Sequence, residues 1–133
     1  MLRKIIGVMA GTTTAMLLIT VIEGLHKIVY PLPQGMSPAD RDAMQHYIDH
    51  LPPTAFVLLL SGYALGSFCC GLVIRLIARS SDKTPAYLAG LGLTTAGIVN
   101  FFSYEHPWWV IIVGLLLFLP LTLLGFSILK KKN

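Results

Sequence analysis

Asp42, His46, Asp49 and His50 stand at i, i+4, i+7 and i+8, so a helix through them carries all four on one continuous surface. A His pair at i, i+4 can chelate Zn²⁺ or another divalent metal, with the carboxylates as further ligands. The same spacing also describes a solvated helix face, and a pH-responsive face would use the same histidines. A second group lies upstream, where Glu23, His26 and Lys27 fall within about one helical turn. Glu23 and Lys27, at i and i+4, are spaced for an ion pair. A carboxylate in a membrane helix is otherwise a candidate proton or ion carrier. Asn100 is the third: its amide lies deep in an apolar run, where it needs either a partner on a neighbouring helix or a substrate.

The elements that must position these groups are membrane spans. The chain has 133 residues, 55% hydrophobic and 12% charged, with a mean hydropathy of +0.73. A soluble domain carries about 25% charged residues. Four apolar runs, 5–29, 54–78, 85–103 and 107–129, are long enough to cross a hydrocarbon core of roughly 30 Å. The fold class expected is an all-α, four-transmembrane-helix bundle forming one domain over 1–133, with the lipid bilayer as its main partner. Arg3-Lys4 before an apolar stretch resembles the start of a secretory signal. The apolar run is too long for one and meets Glu23 without a small-x-small cleavage site, so an uncleaved first helix is expected.

Orientation follows from the basic residues. If four helices alternate, Arg3, Lys4, Arg75, Arg79, Lys83 and Lys130 to Lys132 share one side, against Lys27 and Arg41 on the other, eight against two. Both termini are therefore expected in the cytoplasm. Glu23, Asp40, Asp42, Asp49 and Glu105 then lie outside with all four histidines, leaving Asp82 inside. The net charge of +4 reads as a topology signal, without the basic and aromatic clustering that nucleic-acid binding needs.

Along helix 1, Thr12, Thr20, Glu23, Lys27 and Tyr30 form a polar stripe expected to face other helices. The outer loop, 30–53, begins at Pro31-Leu32-Pro33-Gln34-Gly35, which ends that helix. Ser37 as N-cap, Pro38 at N1 and Asp40 at N3 then start a short helix over about 38–51. Its Met44, Tyr47, Ile48 and Leu51 form an apolar stripe opposite the Asp/His face, which turns the latter toward water. In helix 2, Gly62, Gly66, Cys69 and Val73 form a narrow stripe for close helix packing. Cys69 and Cys70 are read as packing residues, since adjacent cysteines rarely form a bond of normal geometry. Thr84-Pro85 is read as N-cap and N1 of helix 3, whose Ala86, Ala89, Gly97, Asn100 and Tyr104 share a side. Arg75 and Arg79 should snorkel, Trp108-Trp109 sit at the outer interface, Pro120 kink helix 4 and Lys130 to Lys132 anchor its end.

Pro31-Leu32-Pro33-Gln34-Gly35, Leu65-Gly66-Ser67-Phe68 with Gly71, Gly97-Ile98-Val99-Asn100, Pro107-Trp108 and Pro120 with Leu124-Gly125 carry a resemblance. Together they resemble a group of small four-helix bacterial membrane proteins of unknown function. Members often have a histidine or other polar residue where this chain has Tyr63 or Ala64. The resemblance implies four helices and a bacterial inner membrane, and no reaction.

The residues give no nucleophile–base pair or metal set by spacing alone. The expected function is a non-enzymatic scaffold or accessory membrane protein, without a cofactor, assembling with itself or with other membrane proteins. One alternative is a small oligomeric transporter or channel using Glu23 and Asn100. Another is an outer-face divalent-metal or pH-responsive site on the loop helix.

Overall fold

The computed structural model describes residues 1–37, 39–103 and 106–129. Pro38 at N1, Tyr104 on the helix 3 face, Glu105 in the outer acidic set and the Lys130 to Lys132 anchor lie outside them. Among the described residues the helices are α1 (Leu2–Val29), α2 (Arg41–Asp49), α3 (Pro53–Ala78), α4 (Thr84–Ser103) and α5 (Trp108–Ile128). All but α2 are long and apolar enough to span a membrane, with mean hydropathies of 2.1, 2.1, 1.3 and 2.6 in chain order. Their outer surfaces carry exposed apolar side chains such as Leu17, Val21, Leu88, Phe102 and Leu116, as a lipid-facing bundle requires. The chain is an all-α, multi-pass membrane bundle.

α3 is the central helix, packed most extensively against α1 and then α5, whereas α4 leans mainly on α5. The α1 seam is built from Gly7, Gly11, Ala15 and Ile19 at four-residue spacing. They meet Gly66, Cys70, Ile74 and Ala78 of the antiparallel α3, and one turn further on Ile22 covers Gly62. A Cβ added at Gly11 would lie 2.8 Å from the Cys70 carbonyl oxygen, and one at Gly66 would lie 3.1 Å from that of Ala15. Small residues let these backbones touch, which is what holds helices together where apolar burial gains nothing over lipid. The packed face of α1 is therefore its small-residue face, and not the polar stripe expected to fill that role. Thr20 and Lys27 are exposed, and Thr12, Glu23 and Tyr30 only half-buried. Likewise the α3 seam runs through Cys70 and Ile74, leaving Cys69 and Val73 half-buried beside it.

The α3/α5 seam is tighter still. A methyl at Gly71 would overlap the Thr122 carbonyl, and one at Gly125 the Phe68 carbonyl. Pro120 lies within α5 on the exposed side, so its missing N–H faces away from the core.

Local chemistry sets the joints. Tyr30 N–H closes α1 on His26 O at 2.8 Å, and Met36 N–H on Pro33 O turns the loop, with Gly35 at φ +78°. α2 begins later than expected. Ser37 O accepts from Asp40 N–H in a turn that does not propagate, and the Asp40 carboxylate becomes the cap, accepting from Ala43 N–H at 3.2 Å. Pro53 occupies the first turn of α3. α3 ends at Arg79 in the left-handed region, φ 51°. Arg75 caps two helix ends, donating from Nη1 to Ser80 O after α3 and from Nε to Leu129 O after α5 at 3.1 Å, over the Phe126 ring. Ahead of α4 the capping acceptor is Asp82, which takes both the N–H (3.0 Å) and the Oγ1 hydroxyl (2.7 Å) of Thr84. Lys4 of α1 donates to the other Asp82 oxygen at 2.7 Å, tying the N-terminus to the α3–α4 turn.

Candidate functional site

α2 lies across the end of the bundle away from the termini and roofs a chamber. Its apolar stripe points down as the sequence implies: Ile48 joins the buried core, and Tyr47 and Leu51 pack against it. Two polar ties hold the roof. The Tyr47 hydroxyl donates to Tyr30 O at the end of α1, and Arg41 Nη2 donates to Ser103 O at the end of α4, 3.1 Å away. Burial also raises the Tyr47 pKa, keeping the hydroxyl a donor across the ordinary pH range.

The chamber below has a volume of about 350 Å³. α1 supplies Glu23, His26 and Lys27, α3 supplies Leu59 and Tyr63, and Asn100 and His106 close the far side. A narrower crevice of about 190 Å³ runs from it between α1 and α4, walled by Met16, Ile19, Leu93, Ala96, Gly97 and Phe118. Glu23, Tyr63 and Asn100 line both spaces. They mark the level where a polar chamber meets an apolar crevice.

The junction is organised by one hydrogen bond, Asn100 Nδ2 donating to Tyr63 Oη at 3.0 Å across α4 and α3. Asn100 thus finds the partner that its amide requires. Tyr63 is held in turn by an edge contact with Phe101 at 5.9 Å and a tilted one with Phe118 at 5.4 Å. Phe118 also covers Gly97, whose lack of a side chain makes room for the ring. On the chamber side His106 packs edge-on against Phe101 and Phe56, with Nδ1 3.3 Å from Phe101 O.

Glu23 and Lys27, whose spacing left an ion pair open, both line the chamber without closing on each other. Among the described residues, Lys4–Asp82 is the ion pair present. The α1 hydroxyls of Thr12, Thr13, Thr14 and Thr20 donate to carbonyls of their own helix, which takes them out of the site.

Asp42, His46, Asp49 and His50 all lie exposed on the upper face of α2. The His46 and His50 rings lie tilted at 44° to each other with centroids 4.1 Å apart, and His50 Nδ1 lies 2.8 Å from His46 O. Asp49 Oδ1 accepts from Gln45 Nε2 at 3.0 Å, and Asp42 borders a groove with Arg41 and Gln45. Among the described residues no group of three or more His, Cys, Asp or Glu converges on a metal position. A Cβ at Gly62 would meet Ile22, one at Gly66 Ala15 and Ile19, and one at Gly97 the Phe118 ring, while Cys69 and Cys70 are free thiols.

Tyr63 is the residue that the sequence did not single out. In an apolar run one tyrosine reads as a core aromatic, and its hydroxyl gains meaning only once Asn100 is opposite. Comparison with family models, curated proteins and solved structures gives no match to this chain.

Proposed function

We propose that the chain is a non-enzymatic accessory protein of a bacterial cytoplasmic membrane that holds a small ligand in the chamber beneath α2. The observation that carries this reading is the convergence of Glu23, Lys27, Tyr63 and Asn100 on one roofed cavity. That cavity has the size and the few-polar-groups-in-apolar-walls character of small-molecule sites, which span about 300–1,000 Å³. The basic residues at the termini and at the α3–α4 turn support cytoplasmic termini and an outward-facing chamber. The resemblance to small four-helix bacterial membrane proteins supports the bacterial setting.

Mass spectrometry of the molecules that co-purify with the protein tests the reading. Leu59→Trp would fill the chamber, so a small molecule retained by the wild type should be lost in that variant. Identical profiles would overturn the proposal.

A second reading, an oligomeric transporter or channel, is favoured by the sharing of Glu23 and Asn100 between chamber and crevice. Flux in proteoliposomes that stops in Glu23→Gln would support it, and absence of wild-type flux would remove it.

A further inference from the structure

Tyr63 is only 4% exposed, yet it lines both the chamber and the crevice. A phenol both accepts and donates a hydrogen bond. Its oxygen accepts from Asn100 Nδ2, whereas its own proton goes to no acceptor among the described residues. Buried donors are almost always paired, so this one points to a ligand that accepts. Glu23, which lines the same two spaces from α1, accepts no hydrogen bond among the described residues and calls for a donor.

The surroundings fix how such a ligand lies. Below the junction the crevice walls are apolar, with Met16, Ile19, Leu93, Ala96 and Phe118. Met16 lies seven residues before Glu23, so the crevice descends about 10 Å toward the bilayer centre. Met16 and Ala96, on its two sides, are exposed, and α1 meets α4 far less extensively than it meets α3. The crevice therefore opens sideways into lipid. Above the junction, Met44, Tyr47 and Ile48 of α2 close the chamber. A ligand entering from lipid thus points its chain down the crevice and ends its head beneath the roof.

The chemistry of that head follows by elimination. Glu23 lies six residues before the end of α1, about 9 Å below it, where a phosphate would exchange water for mostly apolar walls beside a carboxylate. A fatty carboxylate sets like charge against Glu23. An ammonium suits Glu23 but offers Tyr63 nothing to donate to. An uncharged hydroxyl answers both groups: its oxygen accepts from Tyr63, and its proton makes a charge-assisted bond to the Glu23 carboxylate. We propose that the junction binds an amphiphile with an uncharged hydroxyl head, held between Tyr63 and Glu23, with its hydrocarbon chain in the crevice between α1 and α4. This inference rests on the chamber reading above and adds the class of ligand and its route of entry.

The test places the full chain in phosphatidylcholine nanodiscs with a long-chain alcohol that carries a photoreactive diazirine in its chain. The matching methyl ether, amine and carboxylic acid serve as comparisons, and mass spectrometry maps the labelled residues. The alcohol should label the crevice walls at Met16 and Ala96 about fivefold more than each of the other three, the factor that one ordinary hydrogen bond supplies. All four should label Leu65, exposed on α3, alike. Tyr63→Phe and Glu23→Leu should each bring the alcohol down to the level of the ether. Ala96→Trp, at an exposed position, should remove labelling at Met16 and leave that at Leu65. An excess of unlabelled diacylglycerol or of a polyprenol should erase the crevice labelling, and whichever succeeds tells a glycerolipid source from an isoprenoid one. Equal labelling by alcohol and ether, strongest labelling by the amine, or failure of both competitors overturns the inference. The chamber reading is judged separately by the molecules that co-purify with wild type and Leu59→Trp: a difference there keeps it when crevice labelling is unselective, and its absence removes both.

Discussion

Asn100 on α4 donates a 3.0 Å hydrogen bond to the Tyr63 hydroxyl on α3, joining two helices that otherwise touch little. The bond sits at the junction of chamber and crevice, so the same contact that steadies α4 also shapes the site. Measured side-chain hydrogen bonds between membrane helices average about 0.6 kcal/mol and reach about 1.7 kcal/mol. A double-mutant cycle of Tyr63→Phe and Asn100→Leu, read by unfolding in bicelles, should give a coupling energy in that range. Strictly additive effects would show that the two side chains act independently.

Packing at the glycines makes a sharper contrast. Gly71→Ala and Gly125→Ala each drive a methyl into a backbone carbonyl of the facing helix, which cannot move as a side-chain tip can. Each should destabilise by about 1–3 kcal/mol or more. Gly24→Ala and Gly92→Ala meet nothing within 4 Å and should stabilise by about 0.5–1 kcal/mol through helix propensity. Thermal melting of the four variants checks the sign at each position.

Arg79 ends α3 at φ 51°, a conformation that costs a residue with a Cβ about 1–2 kcal/mol and glycine almost nothing. Arg79→Gly should therefore raise the melting temperature. A fall would mean that the exposed arginine makes a compensating contact with lipid head groups.

Asp82 accepts from Lys4 and twice from Thr84, and these bonds hold its carboxyl well below the usual carboxylate range. A lowered folded-state pKa stabilises the fold above the unfolded value, and the effect is lost as pH falls through the folded one. The tie of the N-terminus to the α3–α4 turn should therefore be intact at neutral pH and persist below pH 3.8, the ordinary carboxyl value. A carboxyl ¹³C titration of Asp82 should show a midpoint below that value, moving up toward it in Lys4→Met. An unshifted wild-type midpoint would contradict the pairing.

The spans were legible because a hydrocarbon core imposes length and apolarity on every crossing segment, and runs such as 54–78 satisfy both without help from neighbours. The downward face of α2 was legible too, since Met44, Tyr47, Ile48 and Leu51 repeat with the period of a helix. Which face of α1 packs was not, because in lipid apolar and small residues look alike to a hydropathy pattern. Polar Thr12 and Thr20 drew attention on α1, but their hydroxyls bond to their own helix, and the contact is made by Gly7, Gly11 and Ala15. The site followed the same division. Asn100's need for a partner could be read from its place in an apolar run, whereas Tyr63 as that partner depends on how α3 and α4 are rotated. The start of α2 moved from Ser37 to Asp40 because two capping residues three positions apart competed, and local turn geometry chose the later one.

Accessibility of the chamber is the most direct measure of the account. In a Cys69→Ser/Cys70→Ala background, Leu59→Cys places a thiol on the chamber wall, and Leu65→Cys places one on the lipid-facing side of α3. A membrane-impermeant cationic methanethiosulfonate applied to the extracytoplasmic side should modify position 59 and leave position 65 untouched. An unreactive position 59, or one modified only from the cytoplasmic side, would contradict the outward-facing chamber.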